Sequence, residues 1–538
     1  MTRELFETCL LLSKRLDKKY NKQTIAAKMT DVPGHTRSII DPMYDAGIRL
    51  LHVGINSACP LPSVPTFCRW RSPSGNDLLL VYQKDYGEDE VLPDGKTVVS
   101  INFTGDNHGP HSYERVKKIY ADLRKRYPQA QLVGASFNDV ARELLLIKKD
   151  LPVVTSEIGD TWIFGYGGAP IRMAKFRAVS RLYSQWLNEG KIKKDSDVAL
   201  DFAAELGLIA EHTQGVDVKT HLRQWDKYDM DKFLKGRSEG VFSMAEASWK
   251  EIDNYIDSAI AFLPASLQKE AREVVAEVDK VKLEDNSKMK PMARKRWEQP
   301  IAGGMILAGL SYQMFDGDDY DDFQNRYLRA RYEWALDDLG KRGLKESHAV
   351  SVTLYAQTMA QSVRKEKKGT RIITELRFPE NEKVDKRVYP ERIQVNCFTT
   401  KNGKRSEVAL TVYGKPTVRL PESYWLSFTV PGIESVIAEK MGERVDLMDV
   451  VEKGNRQMHG IDRYVDLITS GETIRISSKE AFLLNVGEAQ GLNYSTNYPD
   501  KHKGVHFNLN NNLWGTNFSM WNEGSLTYHF VIETLNHK

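Results

Sequence analysis

Residues 24–36 read Thr24-Ile25-Ala26-Ala27-Lys28-Met29-Thr30-Asp31-Val32-Pro33-Gly34-His35-Thr36. The apolar-flanked beginning predicts a strand, and Pro33-Gly34 stops it, because proline donates nothing to a ladder and glycine lets the chain turn. Asp31 and His35 then fall on the loop at the strand's C-terminal end, where barrels and open α/β sheets bind their ligands. An Asp ahead of Pro-Gly is also a common turn former, or a cap for the helix predicted to begin near Arg37. Both readings of Asp31 stand at this point.

Outward from that stretch, the first 170 residues alternate strand-like and helix-like pieces. Ile48 to Val53, Leu78 to Tyr82, Val98 to Phe103 and Leu132-Val133-Gly134 are predicted strands, with helices over Ser112 to Tyr127 and Asn138 to Leu146. Such alternation predicts a mostly parallel sheet covered by helices. Between Ile171 and Glu284 the apolar residues fall three and four apart. Met173 to Leu187, Ser196 to His212, Met244 to Phe262 and a stretch from Leu267 onward therefore predict a helical bundle. Lys282 to Trp297 reads as a boundary, and Ile301 to Leu310 as a helical turn. The remainder is β-rich, with predicted strands over Ala349 to Tyr355, Arg371 to Phe378, Ile393 to Thr400, Val408 to Val412 and Tyr424 to Val430. The division is 1–170 α/β, 171–284 all-α and 300–538 all-β.

The chain has 538 residues, 41% of them apolar and 28% charged, which is the make-up of a folded multidomain protein. Its net charge of +3 provides no field to gather nucleic acid or an anionic membrane. Cys9, Cys59, Cys68 and Cys397 are too few and scattered for a disulfide framework, and no CxxC pair occurs. No apolar run is long enough to span a membrane, and no secretory signal opens the chain, so a cytoplasmic location is expected. A homo-oligomer is compatible with this composition. Leu5, Phe6, Cys9, Leu12 and Leu16 place the start in an amphipathic helix.

Four further runs carry chemistry-bearing residues. Thr104-Gly105-Asp106-Asn107-His108-Gly109-Pro110-His111 sets one carboxylate and two imidazoles among glycines, a pattern that suits metal or acid/base work as well as a plain turn. Glu211-His212-Thr213-Gln214-Gly215 closes the predicted helix that runs from Ser196, where His212 would by itself complement the helix dipole. Asp160-Thr161-Trp162-Ile163-Phe164-Gly165-Tyr166 mixes a carboxylate with aromatics, as carbohydrate sites do, or packs into a core. Gly504 to Phe518 alternates apolar residues with asparagines and reads as a hairpin whose asparagines form turns, or as a sugar-facing loop.

Three of these runs stand in the order found in glycoside hydrolase family 38, the retaining α-mannosidase family. The chain most closely resembles a divergent bacterial subgroup of it. The resemblance implies an incomplete β/α barrel, a helical bundle and a C-terminal β-sandwich. It also implies Asp31 as nucleophile and zinc ligand, Asp106 as general acid/base and His212 as a further zinc ligand. His35, His108, His111, Asp160, Trp162 and Tyr166 are the expected substrate-binding residues. Some members carry a second acid where Asn107 stands here, which leaves the acid/base assignment open. The family's first strand carries His-x-Asp, and this sequence contains no such triplet. The expectation is therefore that about two N-terminal strands and two zinc ligands are missing, with weakened zinc affinity and an exposed sheet edge.

The implied reaction is zinc-dependent, retaining hydrolysis of α-mannoside-like glycans, with carbohydrate as the partner and neither nucleic acid nor membrane. Two alternatives fit the same residues: a metal-dependent carbohydrate deacetylase, and a non-catalytic glycan-binding relative.

Overall fold

A computed structural model describes residues 1–105, 108–285, 287–515 and 517–535. The chain divides into two compact units, a smaller one of residues 10–158 with 451–454, and a larger one of residues 1–9, 159–450 and 455–538. Helix α1 (Arg3–Tyr20) opens the chain, and its Leu5 is fully buried in the larger unit's helical core.

The smaller unit is built on β1 (Ala26–Asp31), β2 (Leu50–Ile55), β3 (Phe67–Arg71), β4 (Asp77–Lys84) and β7 (Val153–Val154), while β5 (Asp89–Val91) and β6 (Val98–Ser100) form a separate hairpin. The sheet order is β1-β2-β4-β3-β7, and the sheet is open, with β1 and β7 at its ends. β1, β2 and β4 are parallel, and β3 runs antiparallel to β4. Every residue of β2 is buried, as the unbroken apolar pattern of a central parallel strand requires. Helix α2 (Ile40–Asp45) follows β1 after a 3-10 turn, and α3 (Tyr113–Arg126) and α4 (Phe137–Leu146) follow later. Ala141 and Leu144 of α4 pack on Leu50, Leu79 and Val81 of the sheet.

Two predicted strands differ. Val98 to Phe103 is a strand only to Ser100, and it pairs with β5, so the 104–111 loop does not follow a strand of the main sheet. Leu132-Val133-Gly134 forms no strand, and Val133 is exposed: two apolar residues between polar ones offer no face to bury.

In the larger unit α5 (Pro170–Asn188) and α6 (Asp197–Gly207) lead into two short helices, α7 (Val218–His221) and α8 (Met230–Ser238). Helices α9 (Ser243–Ala261) and α10 (Ala265–Asp279) follow, and α5, α6, α9 and α10 share one core that includes Phe176, Trp186, Phe202 and Ile256. The helix predicted over Ser196 to His212 ends early: α6 stops at Gly207, a 3-10 turn covers Leu208–Ala210, and His212 lies beyond both.

The rest of this unit holds two large antiparallel sheets. One of seven strands is centred on Ile306–Met314, Glu422–Thr429 and Val505–Asn511. The other, of ten, includes Gly369–Arg377, Arg392–Thr400, Arg405–Lys415 and Gly524–Leu535. Their apolar faces meet in one core, where Phe428 of the first sheet lies 5.4 Å from Phe530 of the second. That is the construction of a sandwich.

Two expectations fail here. Ile301 to Leu310 is not a helical turn: a short 3-10 turn at Ala302–Gly304, with Gly303 and Gly304 left-handed, is followed by the strand Ile306–Met314. The Asn-rich run is not a hairpin either. Val505–Asn511 is one fully buried strand, and its asparagines are internal hydrogen-bonding groups rather than turn formers or a sugar-facing loop. Asn511 Nδ2 donates to the Phe164 carbonyl (2.9 Å) and to Asn508 Oδ1 (2.8 Å). Asn512 Nδ2 donates to the carbonyls of Val418, Leu420 and Met520, and its Oδ1 accepts from the Glu422 amide at 2.7 Å.

All four cysteines are free. Among the described residues no helix is long and apolar enough to cross a membrane.

Because Asn512→Ala removes hydrogen bonds to four backbone groups, three of them in buried pairs, it is expected to cost on the order of 3 kcal/mol. Urea denaturation followed by tryptophan fluorescence checks this, and a cost under about 1 kcal/mol contradicts the role given to the side chain.

Candidate active site

Asp31 is the last residue of β1, and its register row across the parallel strands is Asp31, Ile55, Lys84. Three C-terminal strand ends are thus level, and the residues that follow them converge. The Asn56 amide donates from its backbone to the Asp31 carbonyl (2.8 Å), and its Nδ2 donates to Asp31 Oδ1 (2.9 Å). Tyr86 brings its hydroxyl to the same Oδ1 at 2.6 Å. Two donors on one carboxylate oxygen fix the direction in which the group points.

The backbone is bent to achieve this. Asp31 has φ +85°, and Asp85, Tyr86 and Gly87 have φ of +58°, +65° and +137° in succession. Non-glycine residues adopt such angles at a cost of about 1–3 kcal/mol each, and they cluster where a site needs them. Gly54 makes the approach feasible: a Cβ there would lie 2.5 Å from Tyr86 Cα. Neither Asn56 nor Tyr86 was found by sequence reasoning. The one signal was Gly87 after an apolar run, since the approach of Tyr86 to Asp31 depends on a pairing between separate strands.

His35 follows on the same loop and is tied by a reciprocal backbone pair to Ile158. Its Nε2 donates to the Val32 carbonyl at 3.0 Å, and burial pushes the imidazole down to about 4 against that hydrogen bond, so the ring is neutral at physiological pH. Buried Glu157 accepts from Thr36 Oγ1 (3.0 Å) and the Arg37 amide (2.7 Å), which anchors the start of the following turn. Tyr82 donates to the Pro33 carbonyl at 2.8 Å. The loop is rigidly built.

The second loop is less defined. Asp106 and Asn107 lie outside the described residues. His108 is exposed, and a ring nitrogen of His111, Nε2, meets the Asn102 carbonyl at 3.0 Å.

In the larger unit, Asp160, Trp162, Tyr166 and His212 gather together. Tyr166 donates its hydroxyl to the carbonyls of Ala210 (2.8 Å) and Glu211 (2.9 Å), which holds the segment carrying His212. Trp162 lies 6.1 Å from the His212 ring and 6.4 Å from Trp514. His212 Nδ1 is 2.8 Å from Glu211 Oε2; burial raises the Glu211 carboxyl, but its hydrogen bonds and the His212 charge outweigh that and hold it below its ordinary value. Asp160 accepts from the Trp162 amide (3.1 Å) and from Tyr327 (3.1 Å), yet its burial pushes it up to about 7. The indole N–H groups of Trp162 and Trp514 are buried with no acceptor among the described residues. Unpaired buried donors each cost about 1–3 kcal/mol, and a ligand hydroxyl is the kind of group that relieves them.

A separate cleft of about 570 Å³ in this unit contains none of these residues. Several of its charges are paired with one another, as with Arg237 between Glu246 and Glu523 and Arg172 with Asp253.

Among the described residues no three His, Cys, Asp or Glu side chains gather as a metal site. Asp31 and His212 are the zinc ligands that the resemblance implies, and neither belongs to such a group among the described residues.

The model of a domain of unknown function, DUF5054, matches residues 167–301. No curated protein matches the chain. An α-mannosidase from Enterococcus faecalis V583 aligns over 100% of this chain and 77% of its own, at 10% identity and a TM-score of 0.57. A glycosyl hydrolase family 38 protein from Enterococcus faecalis aligns over 100% and 75% at 9% identity and a TM-score of 0.49. The first likeness shows that the chain has a multidomain fold similar to that of this α-mannosidase.

Asp160 gives a pH-dependent outcome. Its folded value of about 7 lies above the ordinary 3.8, so its contribution to stability is complete below pH 4 and is lost as pH rises to 7. The difference in unfolding free energy between the native chain and Asp160→Asn is expected to change by on the order of 4 kcal/mol across that window, in the direction that favours Asn at pH 8. A pH-independent difference in urea titrations at pH 4 and pH 8 contradicts it.

Proposed function

We propose that this protein is a retaining glycoside hydrolase of α-mannosidase type, acting on α-mannoside-like glycans. The observation that carries the reading is Asp31: a carboxylate at the C-terminal edge of a parallel sheet, on a strained backbone, aimed by Asn56 and Tyr86. The fold likeness to an α-mannosidase supports it, although fold alone does not assign chemistry. In this proposal the sheet β1-β2-β4-β3-β7 is part of a β/α barrel, and residues 1–170, 171–284 and 300–538 are the barrel, bundle and sandwich domains.

Asp31 attacks the anomeric carbon while Asp106 protonates the departing oxygen; Asp106 then takes a proton from the water that releases the sugar. Tyr86 and Asn56 keep Asp31 Oδ1 in a fixed direction, which lowers the cost of orienting the nucleophile. Neutral His35 offers hydrogen bonding without placing a second charge beside the carboxylate. In the larger unit Trp162, His212 and Asp160 contact carbohydrate, with Tyr166 holding the segment that presents His212. Asp31 and His212, each in its own unit, are the zinc ligands that the resemblance implies, and no step is routed through zinc. Zinc when bound would polarise sugar hydroxyls, and two ligands are fewer than such an ion is held by.

Incubating the full chain with a fluorinated α-mannosyl substrate is expected to label Asp31, and Asp31→Ala is expected to lower turnover of an activated α-mannoside by about three orders of magnitude. A label on another residue, or turnover unchanged in the variant, refutes the assignment. Acetate release without glycosidic cleavage points to a deacetylase. Sugar binding with no turnover in either chain points to a glycan-binding protein.

A further inference from the structure

A second group in the smaller unit is arranged for chemistry that the glycosidase reading does not use. Lys28 of β1 and His52 of β2 are register partners, and Lys28 Nζ lies 2.9 Å from His52 Nδ1. The far ring nitrogen of His52 lies 2.9 Å from Gln83 Oε1 on β4. An amide oxygen only accepts, so Nε2 carries the proton and Nδ1 presents a lone pair to the lysine. Nζ also donates to the Tyr86 carbonyl at 3.1 Å. The rings of Phe103 and Phe137 stand 5.6 and 5.7 Å from it, and Phe137 stacks on His52 at 4.9 Å.

These are the groups that face Nζ: a neutral imidazole from β2, a carbonyl from the turn after β4, and two aromatic faces. No carboxylate among the described residues pairs with it. Burial alone brings the amine down to about 8, and burial with the lysine charge brings His52 to about 4 against the Gln83 hydrogen bond. A lysine in such surroundings is the ordinary form of an amine nucleophile. Lys28 is half-buried and therefore within reach of a small molecule.

We propose that Lys28 is a nucleophilic amine that condenses with the carbonyl carbon of small aldehydes, open-chain aldoses included, to form an imine. The nitrogen lone pair attacks the carbonyl carbon and the C=O π pair moves to oxygen. A proton passes from nitrogen to that oxygen; the carbinolamine nitrogen then expels the hydroxyl, which takes a proton from solvent and leaves as water, so the imine is left protonated and carries the positive charge. No electrons are gained or lost. The protonated imine keeps one N–H, which the His52 Nδ1 lone pair accepts. The inference stands on the smaller unit alone and does not depend on the glycosidase reading.

The test is reductive trapping on the full chain: glycolaldehyde and cyanoborohydride at limiting time, then peptide mapping by mass spectrometry. At pH 7.5 the neutral fraction of an amine titrating near 8 exceeds that of an ordinary lysine about two hundredfold. Lys28 is expected to be labelled at least about tenfold faster than exposed Lys18 or Lys118, with a rate that levels off above about pH 8. In Lys28→Arg the fast label disappears while the slow ones remain. Labelling of Lys28 at the rate of the exposed lysines, or a rate still climbing steeply at pH 10, overturns the proposal. Because the decisive readout comes from the unsubstituted chain, a variant that fails to fold does not obscure it.

Discussion

The level row Asp31, Ile55, Lys84 across three parallel strands is the constraint from which the candidate site follows. Parallel pairing places all three C-terminal ends on one edge, so the first residues beyond them have to share one small space. Asn56 is one residue past its strand and Tyr86 two past its own, and each reaches the same carboxylate oxygen. The left-handed turn at Asp85, Tyr86 and Gly87 and the missing side chain at Gly54 are what this convergence requires. The same row explains Lys28. Three residues back along β1 it meets His52 in the adjacent strand, with the Tyr86 carbonyl above it, so one turn serves both the carboxylate and the amine.

The larger unit relies on a different device, polar side chains buried inside a β-sandwich. Asn508, Asn511 and Asn512 supply hydrogen bonds to backbone groups where strand pairing stops, and Asn511 reaches the segment that holds Trp162. Asp160, on that segment, is held by Tyr327 and its own backbone in an environment dry enough to keep a proton near neutrality. Cores pay for such groups only when they are paired. Among the described residues the indole N–H groups of Trp162 and Trp514 are two of the buried donors that lack acceptors, and Trp162 sits beside His212.

Reading the sequence located strands and helices wherever period and length agreed. β2, β4, α3 to α6, α9, α10 and five strands of the two large sheets were legible within a few residues, because each buries a face with its own repeat. The failures share a cause. Val98 to Phe103 has strand-like residues but pairs with a hairpin rather than the main sheet, and Ile306–Met314 was masked by the glycines before it. Asn-rich Val505–Asn511 reads as turns because asparagine favours turns when nothing else satisfies it. Inside the sandwich, backbone carbonyls of distant segments do satisfy it.

By itself the sequence determined that a strand ends at Asp31, that Pro33-Gly34 turns the chain there, and that α/β, helical and β-rich regions follow in order, since local periodicity and turn chemistry act over a few residues. Only the tertiary structure decided that Asn56 and Tyr86 grip Asp31, that Lys28 faces a neutral histidine, and that Trp162, Asp160 and His212 meet. Those contacts join residues from 24 to 55 positions apart, and register and burial, which no local pattern encodes, bring them together.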